Sequence, residues 1–378
     1  MKICINTLSV DSSKGGIRYF LLGLLSELII RHPKHTYYLI VCKNNIELFE
    51  RFESIKNVKF LTTKSNPKGA LSRIICDQTE IPKLASDCDL IITPSNIATL
   101  FTRKPQIVVI QAPLAVRSIR NLCYVPKNLI STFHKLYYYI GLKLTMRRAR
   151  HVVAVSNFLC KHLESSYPKH INKVTVIHEG VSFKVQPRPE DYAANKTLLF
   201  VSSLFPYKNA DKLLETFSII TKTYPHLRDF ELILCGKDPD GLQLTHLKSL
   251  AVNLGIDKHV TFLGHVSHEK LGELYASCRA FVYPSSVETF GLPLLEAMAF
   301  GAPVICSDKM SVPEVAGNAA IVIDPTNTKD FSEAILRIIE NPNTADFLSK
   351  RGYVRVAEFS WIKCAQQFNE LIEDTSTH

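Results

Sequence analysis

Residues 282–308 contain the side chains whose types and spacing are best suited to chemistry. An apolar strand leads into a polar loop that carries Glu288 and Thr289, and Phe290–Leu292 then opens a helix in which Glu296 lies about one turn further on. Unpaired N–H groups and the positive dipole end at a helix start favour a phosphate or a sugar hydroxyl. The two carboxylates can accept hydrogen bonds from the hydroxyls of a sugar and from the diol of a ribose. Taken alone, two glutamates at this spacing are more typical of a helix cap and an ordinary surface residue.

The longer string changes this interpretation, because it resembles the Glu-x7-Glu signature of family-4 retaining glycosyltransferases with the GT-B fold. The run from Glu296 to Ile305 is similar to their E-A-M-A-x-G-x-P-V-I motif, and residues 311–325 match as well. The resemblance covers the C-terminal half closely and the N-terminal half loosely. It implies that Glu296 holds the donor ribose and that Glu288 contacts the donor sugar as a catalytic residue. The donor-binding residues that this string then supplies are Glu288, Thr289, Phe290, Gly291, Leu292 and Glu296.

A second strand–turn–helix segment, at residues 198–217, lies where this family has its phosphate-binding Gly-Arg…Lys element. The resemblance implies that Lys208 is a catalytic residue, because it would neutralise the leaving diphosphate. Ser202 and Ser203 stand where Gly-Arg is usual. Since Ser203 can donate a hydrogen bond but contributes no charge, stabilisation of the leaving group would depend on Lys208 and on backbone dipoles.

Three further loops match the family. Gly15 and Gly16 give a tight turn between the first strand and the first helix, similar to the glycine-rich loop that approaches the donor phosphate or the acceptor. Gly236 matches a strand-end glycine, and Val266 lies in the loop whose backbone usually contacts the nucleobase. The two histidines beside Val266 lack the carboxylate or cysteine partners of a metal site. We therefore expect no metal and no cofactor, with a nucleotide-diphosphate sugar as donor substrate.

Gln111 occupies the acceptor-side position where many relatives have a histidine after an N-terminal strand. An amide can hydrogen bond to a sugar hydroxyl, but it cannot exchange a proton near neutral pH. This departure fits a front-face retaining mechanism, in which the leaving phosphate oxygen takes the acceptor proton and no protein nucleophile is needed.

The charge is divided unevenly along the chain. The net charge is +10, yet residues 1–190 contain 28 Lys and Arg against 12 Asp and Glu, and the remainder contains 17 against 23. Residues 101–150 contain ten basic side chains and no acidic one. Such a block attracts an anionic surface, such as phospholipid, nucleic acid or a pyrophosphate-bearing acceptor, or it forms a solvated basic face with no partner.

Residues 131–150 alternate aromatic and basic side chains, which suits a helix at a membrane interface and equally a half-buried helix with a basic outer face. We predict contact with an anionic membrane or acceptor through the acid-free stretch 101–150. The residues assigned to that contact are Arg117, Arg120, Lys143, Arg147, Arg148 and Arg150.

Apolar strand-sized runs alternate with amphipathic helix-sized runs, which predicts an α/β protein with parallel sheets. The GT-B resemblance implies two Rossmann-like, doubly wound domains that face a central cleft. The predicted strands are Ile3–Leu8, Tyr37–Cys42, Leu90–Thr93, Gln106–Ile110 and His151–Val155, then Thr197–Val201, Glu231–Cys235, Val260–Leu263, Ala280–Tyr283 and Pro303–Cys306.

A polar segment with two prolines at 181–196 is typical of a domain linker. We place an acceptor-side domain at 1–187, a nucleotide-sugar domain at 188–355, and a C-terminal helix at 356–378 that packs back on the first domain. Ten cysteines without a C-x-x-C pair, and apolar runs too short for a membrane span, favour a cytoplasmic protein that contacts the inner face of the plasma membrane peripherally.

These features predict a retaining, metal-independent glycosyltransferase that moves a hexose-type sugar to a glycan or a polyprenyl-linked saccharide in cell-surface polysaccharide synthesis. An epimerase or a glycan phosphorylase of similar fold is the enzymatic alternative. The glutamate pair argues against the first, and the chain length and missing pyridoxal-phosphate lysine motif argue against the second. A basic nucleic-acid-binding protein would leave Glu288, Glu296 and Lys208 unexplained, so we expect no nucleic acid partner.

Overall fold

The computed structural model describes residues 1–10, 15–112, 129–189, 192, 194–239 and 241–376. The chain divides into two units, one made of Met1–Ser182 with Phe359–His378 and the other of Phe183–Glu358. The first boundary was expected after residue 187 and lies after Ser182. The second was expected after residue 355 and lies after Glu358.

The first unit is built on a parallel sheet. Its strands are β1 (Lys2–Asn6), β2 (Thr36–Val41), β3 (Val58–Thr62), β4 (Leu90–Thr93), β5 (Gln106–Ile110), β6 (His151–Ala154) and β7 (Val174–Val176). They lie in the order β3-β2-β1-β4-β5-β6-β7. Strands β4 and β5 are buried along their whole length, because a parallel sheet with helices on both faces has no solvent side.

The second unit has its own parallel sheet. Its strands are β8 (Thr197–Val201), β9 (Glu231–Cys235), β10 (Val260–Gly264), β11 (Ala280–Tyr283), β12 (Val304–Ser307) and β13 (Ala320–Ile323). The order β10-β9-β8-β11-β12-β13 places β8 beside β11, where the winding of the sheet reverses. Ligands of doubly wound sheets bind at the carboxyl ends of the strands at such a point, so a ligand of this unit is expected at the loops after β8 and β11.

The α-helices alternate with these strands along the chain. They are α1 (Gly16–Arg31), α2 (Ala70–Thr79), α3 (Ile81–Leu84), α4 (Leu129–Arg148), α5 (Asn157–Ser166), α6 (Ala210–Thr223), α7 (Leu242–Asn253), α8 (His268–Ser277), α9 (Leu292–Ala299), α10 (Val312–Ala316), α11 (Thr328–Glu340), α12 (Pro342–Val356) and α13 (Trp361–Ser376). Short 3-10 turns occur at Ile46–Leu48, Glu50–Phe52, Pro168–Lys173, Pro206–Lys208, Pro225–Leu227 and Asp257–His259.

Helix α13 belongs to the first unit, where it packs on α1. The Trp361 ring lies 6.0 Å from the ring of Phe20, and its Nε1 donates a hydrogen bond of 3.3 Å to Ser182 Oγ. A Cβ on Gly23 would lie 2.2 Å from the Trp361 ring, so only glycine lets the indole approach this closely. Helix α13 therefore forms part of the first unit, although it follows the second unit in the sequence.

The predicted fold class is confirmed in that each unit is a doubly wound, Rossmann-like α/β layer structure. Helices within the described ranges are all too short or too polar to cross a membrane.

Candidate active site

The loop after β8 carries Lys208 at the end of a single 3-10 turn, Pro206–Lys208. Asn209 follows in the left-handed conformation, at φ 55°, and starts α6. Asparagine tolerates this region better than most residues, which allows the sharp change of direction. Lys208 is only 8% exposed although it is a lysine, so its ammonium group needs a partner inside the site.

The loop after β11 carries Glu288 and ends at Gly291, whose φ of 112° suits glycine. The hydroxyl of Ser311 fixes this loop, because it donates hydrogen bonds of 3.0 Å to the Glu288 carbonyl and 3.1 Å to the Phe290 carbonyl. Thr289, Phe290 and Leu292, which were predicted around the donor, are each at most 9% exposed.

Asn209 joins these two loops. Its Nδ2 donates a hydrogen bond of 2.7 Å to the Pro284 carbonyl and one of 2.6 Å to Ser286 Oγ. In return, the backbone N–H of Ser286 donates to the Tyr207 carbonyl at 2.8 Å. The two predicted phosphate and sugar loops are therefore held together by backbone and side-chain bonds, independently of any charge.

Lys208 and Glu288 form the central contact of the site. Lys208 Nζ donates to Glu288 Oε1, and the hydroxyl of Tyr283 donates to the same oxygen. Lys208 Nζ also lies 5.2 Å from the ring centroid of Tyr207 and 5.7 Å from that of Tyr283, within the range of a cation–π interaction. Burial and the neighbouring Glu288 charge raise the pKa of Tyr283, so its hydroxyl stays protonated and acts as a donor.

Glu296 lies on α9 and is 6% exposed. One carboxylate oxygen accepts a hydrogen bond of 3.0 Å from the hydroxyl of Tyr275, a completely buried residue of α8. Burial raises the pKa of Glu296 to about 7, and the Tyr275 hydrogen bond acts in the opposite direction. The carboxyl group is thus poised to change its charge near neutral pH.

Gly236 brings two further predicted loops to this edge of the sheet. At φ 152° a Cβ on this residue would lie 1.7 Å from the Ser202 carbonyl oxygen, beside the predicted Ser203. The N–H of Gly236 donates to the Gly264 carbonyl at 2.8 Å, two residues before the half-buried Val266. The predicted donor residues after β8, β9, β10 and β11 therefore lie on adjoining loops of one sheet edge.

Gly15, Gly16 and Gln111, the residues predicted near the donor or the acceptor in the first unit, follow strands of its sheet. Gly15 precedes α1, and space is open around both Gly15 and Gly16 where a side chain would project. Gln111 follows β5, and its N–H donates a hydrogen bond of 2.6 Å to Asn96 Oδ1. Asn96 has φ 70°, so this turn too depends on a left-handed residue.

The basic residues at the end of α4 are not equivalent. Lys143 and Arg147 are exposed, whereas Arg148 donates to the Leu100 carbonyl and Arg150 lies 3.8 Å from the Asp374 carboxylate. The predicted Arg117 and Arg120 lie outside the described residues.

Four functional candidates were missed in the sequence: Tyr283, Tyr275, Asn209 and Ser311. The tyrosines read as ordinary core residues of a strand and a helix, and their hydroxyl partners are set only by the packing. In the ranges that the structure describes, no three His, Cys, Asp or Glu side chains lie close enough together to hold a metal ion.

Lys208, Glu288 and Glu296 thus lie in a doubly wound α/β unit, a class of protein that binds its ligands at the carboxyl ends of the strands beside such a switch point. Residues 183–355, almost the whole second unit, match the family model of glycosyl transferases group 1. This match covers less than half of the 378-residue chain, which is similar to the family through its second unit.

Curated relatives agree with this assignment. The chain is 36% identical over 169 residues to the O-antigen chain mannosyltransferase B of Escherichia coli, covering 45% of this chain and 43% of that protein. It is 31% identical over 254 residues to the O-antigen chain mannosyltransferase RfbU of Salmonella typhimurium, covering 66% of each. The matched part therefore spans less than two thirds of these relatives.

Solved structures resemble the whole chain in fold. Anabaena Alr3699/HepE in complex with UDP-glucose has a TM-score of 0.76 at 19% identity, over 99% of this chain and 100% of that one. WaaG, a glycosyltransferase involved in lipopolysaccharide biosynthesis, has a TM-score of 0.74 at 13% identity, over 98% and 99%.

Proposed function

We propose that the protein is a retaining glycosyltransferase that moves a hexose-type sugar from a nucleotide-diphosphate donor to a glycan or lipid-linked saccharide. The observation that carries this proposal is the Lys208–Glu288 contact at the switch point of a group 1 family unit. Two relatives are named as O-antigen mannosyltransferases, which supports a role in cell-surface polysaccharide synthesis. The Anabaena structure with UDP-glucose supports a nucleotide sugar as the donor.

Each residue of the proposed site would bind a different part of the donor. Lys208, with the backbone N–H groups that begin α6, would neutralise the diphosphate as negative charge develops on it, and Ser203 would add a hydrogen bond. Glu288 would accept hydrogen bonds from the sugar hydroxyls. Glu296, buried and held by Tyr275, would accept them from the ribose diol.

The chemical step needs no protein nucleophile in this scheme. The bond from the anomeric carbon to the phosphate oxygen breaks as the acceptor oxygen bonds to the same face of that carbon. The proton of the acceptor hydroxyl passes to the leaving phosphate oxygen. Lys208 stabilises the charge on the diphosphate before that proton arrives, so the barrier falls without a metal ion.

A ligand screen tests the proposal. Thermal unfolding is measured with UDP-, GDP-, ADP- and dTDP-sugars, because a ligand at a hundred times its dissociation constant adds about 2.7 kcal/mol to the free energy of unfolding. Proton NMR of the product made from the stabilising donor should show the anomeric configuration of that donor, and turnover should survive EDTA. An inverted product, or activity that only magnesium or manganese restores, would overturn the mechanism.

We propose in addition that the first unit contacts an anionic membrane through the outer face of α4. Leu136, Tyr139 and Ile140 are 54%, 50% and 47% exposed, and Lys143 and Arg147 follow at helical spacing on the same face. Large apolar side chains followed by basic ones suit the boundary between acyl chains and headgroups.

Helix α2 also carries exposed apolar side chains. Leu71 and Ile75, one turn apart, are 57% and 54% exposed. Helix α2 lies beside α4, because Tyr137 of α4 hydrogen bonds with Gln78 of α2. An ordinary solvated basic face would not carry three large exposed apolar side chains beside its basic ones, so the outer face of α4 favours membrane contact over the solvated alternative.

A further inference from the structure

The cation that the proposed donor requires is already neutralised inside the site. Lys208 pairs with Glu288, and the two side chains are only 10% and 14% exposed. A diphosphate that approaches Lys208 therefore encounters an ammonium group that is already paired with the Glu288 carboxylate. The ammonium group has three N–H donors, but its single positive charge cannot balance both anions, since like charges at close range repel strongly where water is excluded.

Tyr283 gives Glu288 a second partner that does not depend on Lys208. Its hydroxyl donates to the same carboxylate oxygen, Oε1, that accepts from Lys208. The residue is 2% exposed at the end of β11, and its ring stacks on Phe281 at 5.8 Å between centroids. Packing in the sheet thus fixes the hydroxyl, whereas the lysine ends a flexible four-carbon chain.

The backbone around the pair is fixed on both sides. Asn209 and Ser286 bond the Lys208 loop to the Glu288 loop, and Ser311 holds the Glu288 carbonyl. A change of partner for Lys208 is therefore a side-chain movement, along the ring faces of Tyr207 and Tyr283 that its ammonium group already adjoins.

We propose that the Lys208–Glu288 ion pair is the resting state of the ligand-free site and that the donor diphosphate displaces Glu288 from Lys208. Tyr283 is then the positioning residue that keeps the Glu288 carboxylate in place after the exchange. Glu288 gains a vacant acceptor site for a sugar hydroxyl only when the diphosphate is bound. The inference rests on the proposed function, because it requires a diphosphate at Lys208.

The first experiment is calorimetric titration of the full chain with UDP, GDP, ADP and dTDP, and with the corresponding nucleosides. Glu288→Gln removes the competing charge but keeps a hydrogen-bonding group of the same size. We expect it to bind the diphosphate about 3- to 10-fold more tightly than wild type, with unchanged affinity for the nucleoside, while turnover falls. In a Lys208→Met background the gain should disappear, since no cation is left for the two anions to share.

Tyr283→Phe should act in the opposite direction. Without the tyrosine hydroxyl, the buried carboxylate has no partner after the exchange, so we expect diphosphate affinity to fall about 3- to 10-fold. The loss should be absent in the Glu288→Gln background, where no charge needs to be held. A purely structural role for Tyr283 would weaken binding equally in both backgrounds.

The matched control is Glu333→Gln, which neutralises the carboxylate of an exposed pair with Lys329 on α11. It should leave diphosphate affinity unchanged. Circular dichroism establishes that each variant is folded, and thermal unfolding with added diphosphate repeats the comparison of affinities by a second method.

The outcomes separate this inference from the proposed function. If none of UDP, GDP, ADP and dTDP binds the wild type, the proposed donor site is wrong. If one of them binds the wild type and Glu288→Gln binds it equally or more weakly, the exchange is wrong and the donor site stands.

Discussion

At the scale of single residues, the proposed reaction depends most on the charge of Lys208. Lys208→Ala should lower turnover about a hundredfold, because a lost charged contact to the leaving group costs on the order of 3 kcal/mol in the transition state. Steady-state kinetics with the identified donor measures this. Lys212→Ala is the matched control, since Lys212 lies four residues further on and pairs with Glu215 at 2.8 Å, 37% exposed. Near-normal turnover of Lys208→Ala would remove the lysine from the mechanism.

Glu296 should make the stability of the protein depend on pH. Its pKa is about 7 in the folded chain against an ordinary 4.5, so the folded state binds more protons than the unfolded state between these values. Stability therefore falls as the pH rises from about 4.5 to 7. Glu296→Gln, which cannot ionise, should lose less stability over this range, by on the order of 3 kcal/mol.

Urea unfolding at pH 5 and pH 8 checks this difference. Glu333→Gln, which changes an exposed carboxylate, should follow the pH dependence of the wild type. Parallel behaviour of Glu296→Gln and the wild type would mean that Glu296 ionises freely in the folded protein.

The residue types of the site were predictable, but their partners were not. Lys208 and Glu288 match family positions one by one, yet their mutual contact joins residues 80 positions apart. Asn209 and Ser286 act as a link only because β8 and β11 are neighbours in the sheet. A sequence motif identifies the side chains that contact the ligand. The strand order decides which other side chains hold those residues in position.

At the scale of elements, the strands missing from the sequence prediction are β3, β7 and β13. All three lie at an edge of their sheet. Strand β7 is only partly buried along its whole length, and β3 and β13 each have one buried residue. Buried central strands form continuous apolar runs, whereas β3 and β7 contain polar residues and resemble loops. The weak apolar pattern therefore explains why β3 and β7 were missed, whereas β13 is entirely apolar and could have been predicted.

The end of β9 allows an element-scale prediction. Gly236→Ala should destabilise the protein by about 2–3 kcal/mol, because a methyl group there overlaps the Ser202 carbonyl. Chemical unfolding measures the change. Gly255→Ala is the control, since Gly255 also has a positive φ, of 66°, but open space around it, so it should cost only about 1 kcal/mol. If both substitutions reduced the free energy of unfolding equally, the close contact of Gly236 with the Ser202 carbonyl would contribute nothing to the loss of stability.

At the scale of the whole molecule, the uneven charge predicts reversible membrane binding through the first unit. Lys143→Gln with Arg147→Gln should reduce flotation with anionic liposomes, since each basic residue near such a surface contributes about 1 kcal/mol. Salt should weaken the wild-type interaction, because exposed charges are screened within about 8 Å at physiological ionic strength.

Two controls accompany the flotation test. Lys258→Gln with Lys329→Gln removes the same charge from exposed positions of the second unit and should float as the wild type does. The second comparison tests the apolar contribution. Leu136→Ser with Ile140→Ser keeps the charge of α4 and should still reduce flotation on anionic vesicles. Equal flotation of all variants, or none on anionic lipid, would refute membrane contact by α4.

The return of α13 to the first unit has a consequence for protein synthesis. Trp361 packs against Phe20 and Gly23 of α1, which are synthesised early. Trp361 itself is added 179 residues after Ser182, the last residue of the first segment of this unit. At a translation rate of about 5–20 residues per second, the nascent first unit waits roughly 10 to 40 seconds for its last helix. Strands β8 to β13 have all been made by then, so the first unit gains its last helix only after the second unit has been synthesised. Chaperones that recognise apolar surface would meet this protein at α1.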